Sequence, residues 1–464
     1  MQRRTFLTQT FLTQTAVLAG QKLFAADAIT DPQVQQAEIL RRIKAPVFAK
    51  RDFDIVRYGA EAGGTKDCSG AIRKAIAACT AAGGGRVVVP AGVFLTGPVH
   101  LDNNVNLHVS EGATLRFSPQ PEHYLPVVYT RWEGTECMNY SPLIYAFEKT
   151  NIGITGTGTL DGGADDQHWW GWKGGARRNG GPNQTADRDA LVASGEKDVP
   201  VKDRIYGGGH YLRPNFVQPY RCTNVVIDGL KIRNSPMWEL NPVLCRNVTI
   251  RNIDIDTHGP NNDGCDPESC TDVLIENCTF NTGDDCIAIK SGRNADGRRV
   301  NVPCSNLIIR NCNMKDGHGG VSIGSEVSGG IRNVFVENCQ MSSPSLQRAL
   351  RIKTNSHRGG AIENIYFRKV TVGQVAEAVI EVDFFYEEGE GGPFRPVVNN
   401  VVVSDVTCKK SKYGLYLRGY KNAPIRGLTV SDCNFENAGK DNLLENVEAV
   451  KMTRVTVNGK TLNN

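Results

Sequence analysis

The strongest constraint on this chain is a recurring short pattern: an asparagine, aspartate or glycine, then apolar residues at alternating positions. Asn224-Val225-Val226-Ile227, Asn247-Val248-Thr249-Ile250, Asp272-Val273-Leu274-Ile275 and Asn306-Leu307-Ile308-Ile309 are four copies. An earlier one begins at Asn151, and others at Asn333, Asn364, Asn400 and Gly427. From Asn224 on, successive starts lie 23 to 36 residues apart. Alternating apolar positions make each copy a strand with one buried face. Nothing between the copies reads as a crossover helix, which excludes doubly wound and barrel α/β folds. Similar strands at this period point to stacked coils, a parallel β-helix. The asparagines are expected to stack as a ladder at the coil corners, a structural role.

The rest of the chain is arranged around that stack. Residues 69–82 place Ile72, Ala75, Ile76 and Cys79 at helical spacing before Gly83-Gly84-Gly85, predicting one amphipathic helix. A solenoid needs its open end covered, and this short helix is the candidate cap. Phe53-Asp54-Ile55-Val56 reads as the first strand, followed by strands at 85–89, 93–95, 105–109 and 114–117. Residues 29–50 are polar and mixed and read as a linker, leaving 51–464 as one β-helix domain. Residues 165–209 break the pattern: glycine- and charge-rich, they carry Trp169, Trp170 and Trp172. A structureless insert of that length is functional or disordered as a rule. It reads either as a lid whose aromatic faces meet sugar rings or as a surface loop that its tryptophans pin down.

The first 28 residues resemble an export signal. Arg3-Arg4 precede a modest apolar run, and Ala26-Asp27-Ala28 offers a small-residue cleavage site. The paired arginines favour a twin-arginine signal over an ordinary secretory one. The expected destination is the periplasm or the medium. The run is too short and polar to span a bilayer, and no later segment is apolar enough for an anchor. The formal charge of +4 falls to +2 once Arg3, Arg4, Lys22 and Asp27 are removed, too weak a bias for a nucleic-acid partner. Export makes disulfides plausible for the 14 cysteines. However, Cys278, Cys312, Cys339 and Cys433 share one repeat position with aliphatic equivalents, so a column of small apolar thiols is preferred. No pair has zinc-site spacing with supporting histidines, and no metal or other cofactor is expected.

A second strand family follows the first within the coils: Ala288-Ile289-Lys290, Ser322-Ile323-Gly324, Arg351-Ile352-Lys353 and Tyr416-Leu417-Arg418. Residues two apart in a strand share a face, so Arg351 and Lys353 point together while Ile352 enters the core. Asp284 lies four residues past the strand end at Phe280, His318 four past Met314, and Asp263 eight past Ile255. Each motif alone is bland: an Asp-Asp after glycine is turn chemistry, Gly-His-Gly a tight turn, Arg-x-Lys a solvated strand face. Their common register changes that. With coils about 4.8 Å apart, Asp263, Asp284 and Asp285, His318, and Arg351 with Lys353 form one patch about 15 Å long. Crowded carboxylates split their pKa values, which is what glycosidic cleavage by an acid and a base requires. The cations on the same face suit an anionic sugar.

At Asn261-Asn262-Asp263, Gly283-Asp284-Asp285, Gly317-His318-Gly319 and Arg351-Ile352-Lys353 the sequence resembles glycoside hydrolase family 28, the polygalacturonases. The resemblance runs from Phe53 to the C-terminus and is densest over 215–386. It implies a right-handed parallel β-helix that hydrolyses α-1,4-galacturonosidic linkages of pectin with inversion. By that resemblance Asp284 is the general acid, Asp263 and Asp285 activate the attacking water, and His318 tunes or orients the acid. Arg351 and Lys353 hold the substrate carboxylate, Asn261 also binds substrate, and Tyr386 matches a family tyrosine. The chain departs from the family pattern at Asn262, where threonine is usual, and at Gly283, where glutamine is frequent. The insert at 165–209 and Arg131-Trp132-Glu133-Gly134 point to a groove closed at one end, hence exo release of monomers. The competing readings are a calcium-dependent pectate lyase, with the aspartates as metal ligands, and a non-catalytic carbohydrate-binding β-helix. His318 and the Arg351–Lys353 pair fit hydrolysis better than either.

Overall fold

The computed structural model describes residues 31–174 and 181–462. It is a right-handed parallel β-helix. The sequence repeat sets the register: Ile152, Val225, Val248, Val273, Leu307, Val334, Ile365, Val401 and Leu428 pair in turn, all in parallel. Two positions on, Ile227, Ile250, Ile275, Ile309, Val336, Phe367, Val403 and Val430 form a fully buried column. Burying an aliphatic side chain stabilises by about 1.5–3 kcal/mol, so the column is a large part of what holds the coils together.

The corner asparagines form the expected ladder, in two runs. Asn247, Asn224, Asn151 and Asn104 hydrogen-bond amide to amide at 2.7–2.9 Å. Asn400, Asn364, Asn333 and Asn306 continue to Asp272 at 2.7–3.2 Å. Each has a positive φ, between 53° and 61°. This is the left-handed turn that asparagine tolerates better than most residues.

The second strand family forms its own parallel sheet. Ile287–Ile289, Val321–Ile323, Arg348–Lys353, Ala378–Asp383 and Tyr413–Arg418 pair in order, aligning Ala288, Ser322, Arg351, Glu381 and Tyr416. Helix α1 spans Pro32–Arg42 and helix α2 Ser69–Ala81. α2 packs Ala71, Ile72, Ala75, Ile76 and Cys79 onto the first coils, the expected cap.

Two expectations are corrected. The first strand is Asp52–Asp54 only, because Asp54 accepts a hydrogen bond from Val56 N at 2.9 Å and starts a 3-10 turn over Ile55–Tyr58. The segment read as a linker contains α1. Its Ile39, with Ile43 just beyond, lies on the outside of the stack against Leu274, Ile308, Phe335 and Tyr366. Polar ties reinforce this: Arg42 to Asp272 at 2.7 Å, Gln36 to Glu337 and Arg368 at 2.7 Å each, and Lys44 N to Asn247 at 2.9 Å.

All 14 cysteines are free and buried. Cys278, Cys312 and Cys339 precede residues paired in register, as the repeat implied, and Cys222, Cys245, Cys270 and Cys304 make a second column at the other end of the strands. The export signal and its cleavage site lie outside the described residues. Among the described residues no helix is long and apolar enough to cross a membrane.

Candidate active site

The site is a groove of about 550 Å³ over the second sheet and the turns leading into it. Five successive coils supply the expected residues, Tyr386 coming from the last. Backbone bonds tie them together: Gly264 N donates to Asp285 O at 2.9 Å, Cys286 N to Gly319 O at 2.8 Å, and Gly320 N to Arg348 O at 2.9 Å. Carboxylate oxygens of Asp263, Asp284 and Asp285 all lie within 4.8 Å of one another. His318 Nδ1 stands 2.9 Å from Asp284 Oδ1. Lys353 Nζ donates to Asp285 Oδ2 at 2.6 Å, and Arg351 is 3.5 Å from Asp285 Oδ1 and 3.3 Å from Glu381. The Tyr386 ring lies under both cations, 5.4 Å from the guanidinium carbon of Arg351 and 5.2 Å from Lys353 Nζ. Asn261 is on the rim, its Oδ1 accepting from Arg213 at 2.7 Å. All eight sequence-derived residues therefore meet in one place.

The two departures from the family pattern have local causes. Asn262 is fully buried and fixes the turn that carries Asp263. Its Oδ1 accepts from Gly259 N at 2.8 Å and Thr257 Oγ1 at 2.6 Å, and its Nδ2 donates to Ser235 O and Met237 O. At Gly283 a Cβ would stand 2.5 Å from Gly259 O and against the His258 backbone, so a side chain does not fit. Gly319 is similarly confined, with Ser322 Oγ 2.2 Å from where its Cβ would be, and that hydroxyl donates to Asp285.

The electrostatics separate the three carboxyls. Burial raises the Asp263 pKa well above the carboxylate range, and the charges of Asp284 and Asp266 add to it. Burial acts the same way on Asp285, but Lys353 and Arg351 outweigh it and hold this group well below that range. For Asp284 burial is overcome by the hydrogen bond with His318, so its pKa is lowered, and the same bond raises His318. The arrangement thus contains a permanently ionised carboxylate, a carboxyl of high proton affinity, and a carboxylate–imidazole pair that holds one proton between them. The three carboxylates have metal-ligand spacing, but Lys353 already serves Asp285 as counter-ion.

Several groove residues were not singled out from the sequence. Lys290, buried in the floor, stands 3.2 Å from Glu326, 3.8 Å from Asp266 and 4.5 Å from the Trp238 ring. The signal for it was present: Lys290 occupies in its strand the place that Lys353 has in the aligned strand two coils on. The wall at one end was legible only as two segments, Arg131-Trp132-Glu133-Gly134 and the insert, and not as the ion pairs that build it. There Glu133, at the tip of the antiparallel hairpin Val128–Trp132 and Thr135–Asn139, meets Arg188 at 2.6 Å and Arg293 at 3.5 Å. Arg188 also meets Glu387 at 3.5 Å, and Arg293 meets Glu387 and Glu388 at 3.2 and 3.3 Å. Arg188 lies on helix α3 (Thr185–Glu196), inside the insert. The described part of the insert thus contains two 3-10 turns and a helix. Its tryptophans pin it and do not line the groove: Trp169 is buried against Tyr124 and Trp172, Trp170 Nε1 donates to Ser235 O at 2.8 Å, and Trp172 packs on Tyr211. What the described residues of the insert present to the groove is charge, from Lys173 and Arg188.

Comparison with known proteins agrees with this geometry. Residues 205–456 match the model of glycosyl hydrolases family 28. The chain belongs to that family, and it is a glycosyl hydrolase. It is similar to a hyperthermoactive exopolygalacturonase from Thermotoga maritima, at 46% identity and a TM-score of 0.90 over 93% of this chain and 97% of that one. It is 27% identical to an exo-poly-alpha-D-galacturonosidase of Dickeya chrysanthemi, covering 88% of this chain and 75% of the relative. A probable polygalacturonase of Vitis vinifera is 29% identical over 77% of this chain and 68% of its own length.

Proposed function

We propose that the protein hydrolyses α-1,4-galacturonosidic linkages of pectic galacturonan from a chain end, with inversion. The observation that carries the reading is the contact of His318 Nδ1 with Asp284 Oδ1 at 2.9 Å, beside the buried Asp263–Asp285 pair. Asp284 protonates the leaving glycosidic oxygen and His318 restores its proton. A carboxyl of lowered pKa is a strong acid once so charged. The attacking water lies between Asp263 and Asp285. As its oxygen bonds to the anomeric carbon and the glycosidic bond breaks, its proton passes to Asp263, whose raised pKa makes it the stronger base. Asp285 stays ionised under Lys353 and Arg351 and supports the positive charge that develops on the sugar. Arg351, Lys353 and Tyr386 receive the sugar on their side of the cleaved bond, and Asn261 binds it from the rim.

End-on cleavage is supported by the Glu133–Arg188–Arg293–Glu387 wall and by the names of the Thermotoga and Dickeya relatives. Product profiling on polygalacturonate tests it: galacturonate monomer should appear from the start, and an early ladder of mixed oligomers would exclude exo action. Inversion is taken from the family, since the nearest carboxyl oxygens are closer than the roughly 6.5–9.5 Å common in inverting pairs. Proton NMR of the first product should show the β-anomer; the α-anomer would overturn it. An ultraviolet-absorbing, chelator-sensitive product would identify the lyase instead. Residues 51–464 are read as one catalytic domain. Export is supported by Arg3-Arg4 and Ala26-Asp27-Ala28, and N-terminal sequencing of protein recovered outside the cytoplasm tests it.

A further inference from the structure

Most cations around the groove already have an anion. Lys353 is 2.6 Å from Asp285, Arg351 lies between Asp285 and Glu381, and Arg348 is 2.6 Å from Glu381. Arg188 is held by Glu133, Lys290 by Glu326, and His318 by Asp284. Lys173 is different. Among the described residues it has no hydrogen bond and no ion pair, although it lines the same groove.

Its backbone is fixed while its ammonium is free. Lys173 closes the 3-10 turn Trp170–Lys173, anchored by Trp170 Nε1 on Ser235 O and by Trp172 between Trp169 and Tyr211. Ser235 O also accepts from Asn262 Nδ2 at 3.0 Å, which ties the turn to the coil before Asp284. Lys173 therefore reaches the groove beside Asp284, at the wall made by Glu133 and Arg188. Its side chain stays exposed to the groove. Partial burial lowers its pKa, Arg213 and Arg188 push the same way, and Glu133 and Asp284 oppose them. An anionic ligand at this point would relieve that repulsion.

We propose that Lys173 is a specificity-determining residue whose ammonium binds the carboxylate of the sugar on the walled side of the cleaved bond. The enzyme then requires a uronate, rather than its methyl ester or a neutral hexose, at the chain end it releases. This rests on the galacturonan reading above. Two recognition points flank the reacting bond: paired cations under Tyr386 on one side, and a single unpaired ammonium on the other.

The test uses the full protein, its Lys173→Gln and Lys173→Arg variants, and trigalacturonate either free or methyl-esterified on one terminal sugar. A lost charge-assisted hydrogen bond predicts that Lys173→Gln raises KM for the free acid about ten- to a hundredfold. The change in kcat should be smaller, and Lys173→Arg should retain most of the affinity. Wild type should discriminate against the ester at one end only, and Lys173→Gln should lose that discrimination. The inference is overturned if Lys173→Gln leaves KM for the free acid unchanged, or weakens acid and ester alike. Wild type that does not cleave trigalacturonate overturns the galacturonan reading, and the inference with it. Wild type that cleaves it with a variant indistinguishable from it overturns the inference alone.

Discussion

Two corners of each coil use the same stacking distance for opposite ends. At one, Asn306 accepts from Asn333 and donates to Asp272, each amide acting as donor to one neighbour and acceptor from the next. Such a column satisfies itself, and stacking like on like costs nothing. At the other, Asp263, Asp284 and Asp285 stack with no donors of their own. Like on like is unfavourable there, and the fold offsets it with Lys353, Arg351, Lys290 and the proton shared with His318. Identical geometry yields a ladder where residues are self-complementary and a reactive cluster where they are not.

The largest test of that contrast is Asp284→Asn, nearly the same shape without the acid. Loss of a positioned general acid predicts a fall in kcat of about 10²–10⁴-fold with little change in melting temperature. Retained cleavage of galacturonan would end the acid assignment. Next in size is Lys353→Met, which leaves Asp285 buried and deprived of its nearest cation. Removing one partner of a buried pair costs about 3–5 kcal/mol, so denaturant unfolding should move clearly to lower midpoint. An unchanged midpoint would mean that Arg351 compensates alone.

Asn306→Ala probes the quiet corner. It removes two amide hydrogen bonds and puts alanine at a φ of 60°, for a cost of about 1–3 kcal/mol. Stability should drop while kcat stays unchanged; a parallel loss of activity would show that the two corners are not independent. The smallest effect is that of His318→Gln on the pH profile. The acidic limb of activity belongs to Asp263, which must ionise to act as base, and the alkaline limb to the Asp284–His318 proton. Without the imidazole that proton is lost at lower pH, so the alkaline limb should shift down; an unmoved limb contradicts the pairing. The same group gives a stability signature. Since folding raises the His318 pKa, its contribution is full below the ordinary histidine value and fades as pH rises through the raised one. Wild type and His318→Gln should therefore converge in melting temperature toward alkaline pH.

The sequence made the stack legible because alternation and period are local properties that nine copies repeat. The reacting residues were legible for the same reason: once the register was known, Asp263, Asp284, His318 and Arg351 had to be neighbours. Lys290 was within reach of the argument, since its strand aligns with that of Lys353. Glu133, Lys173 and Arg188 were legible only through their segments, read as closing the groove, and Glu387 not at all. They sit on a hairpin, an insert and a loop outside the repeat, and where such pieces dock depends on packing such as Trp169 on Tyr124. Helix α1 was hidden by its composition. It has few apolar residues, and the face it covers belongs to strands more than two hundred positions later.

That last feature has a consequence for how the molecule is assembled. Coils stacked on nearest neighbours alone can peel from either end, one layer at a time. α1 lies across Asn247, Asp272, Ile308, Glu337 and Arg368, fastening layers that otherwise touch only the next in line. It cannot settle until those layers exist. The stretch of chain synthesised before all the coils is therefore the one that closes over them, and its arrival turns a pile of separable layers into a single latched body.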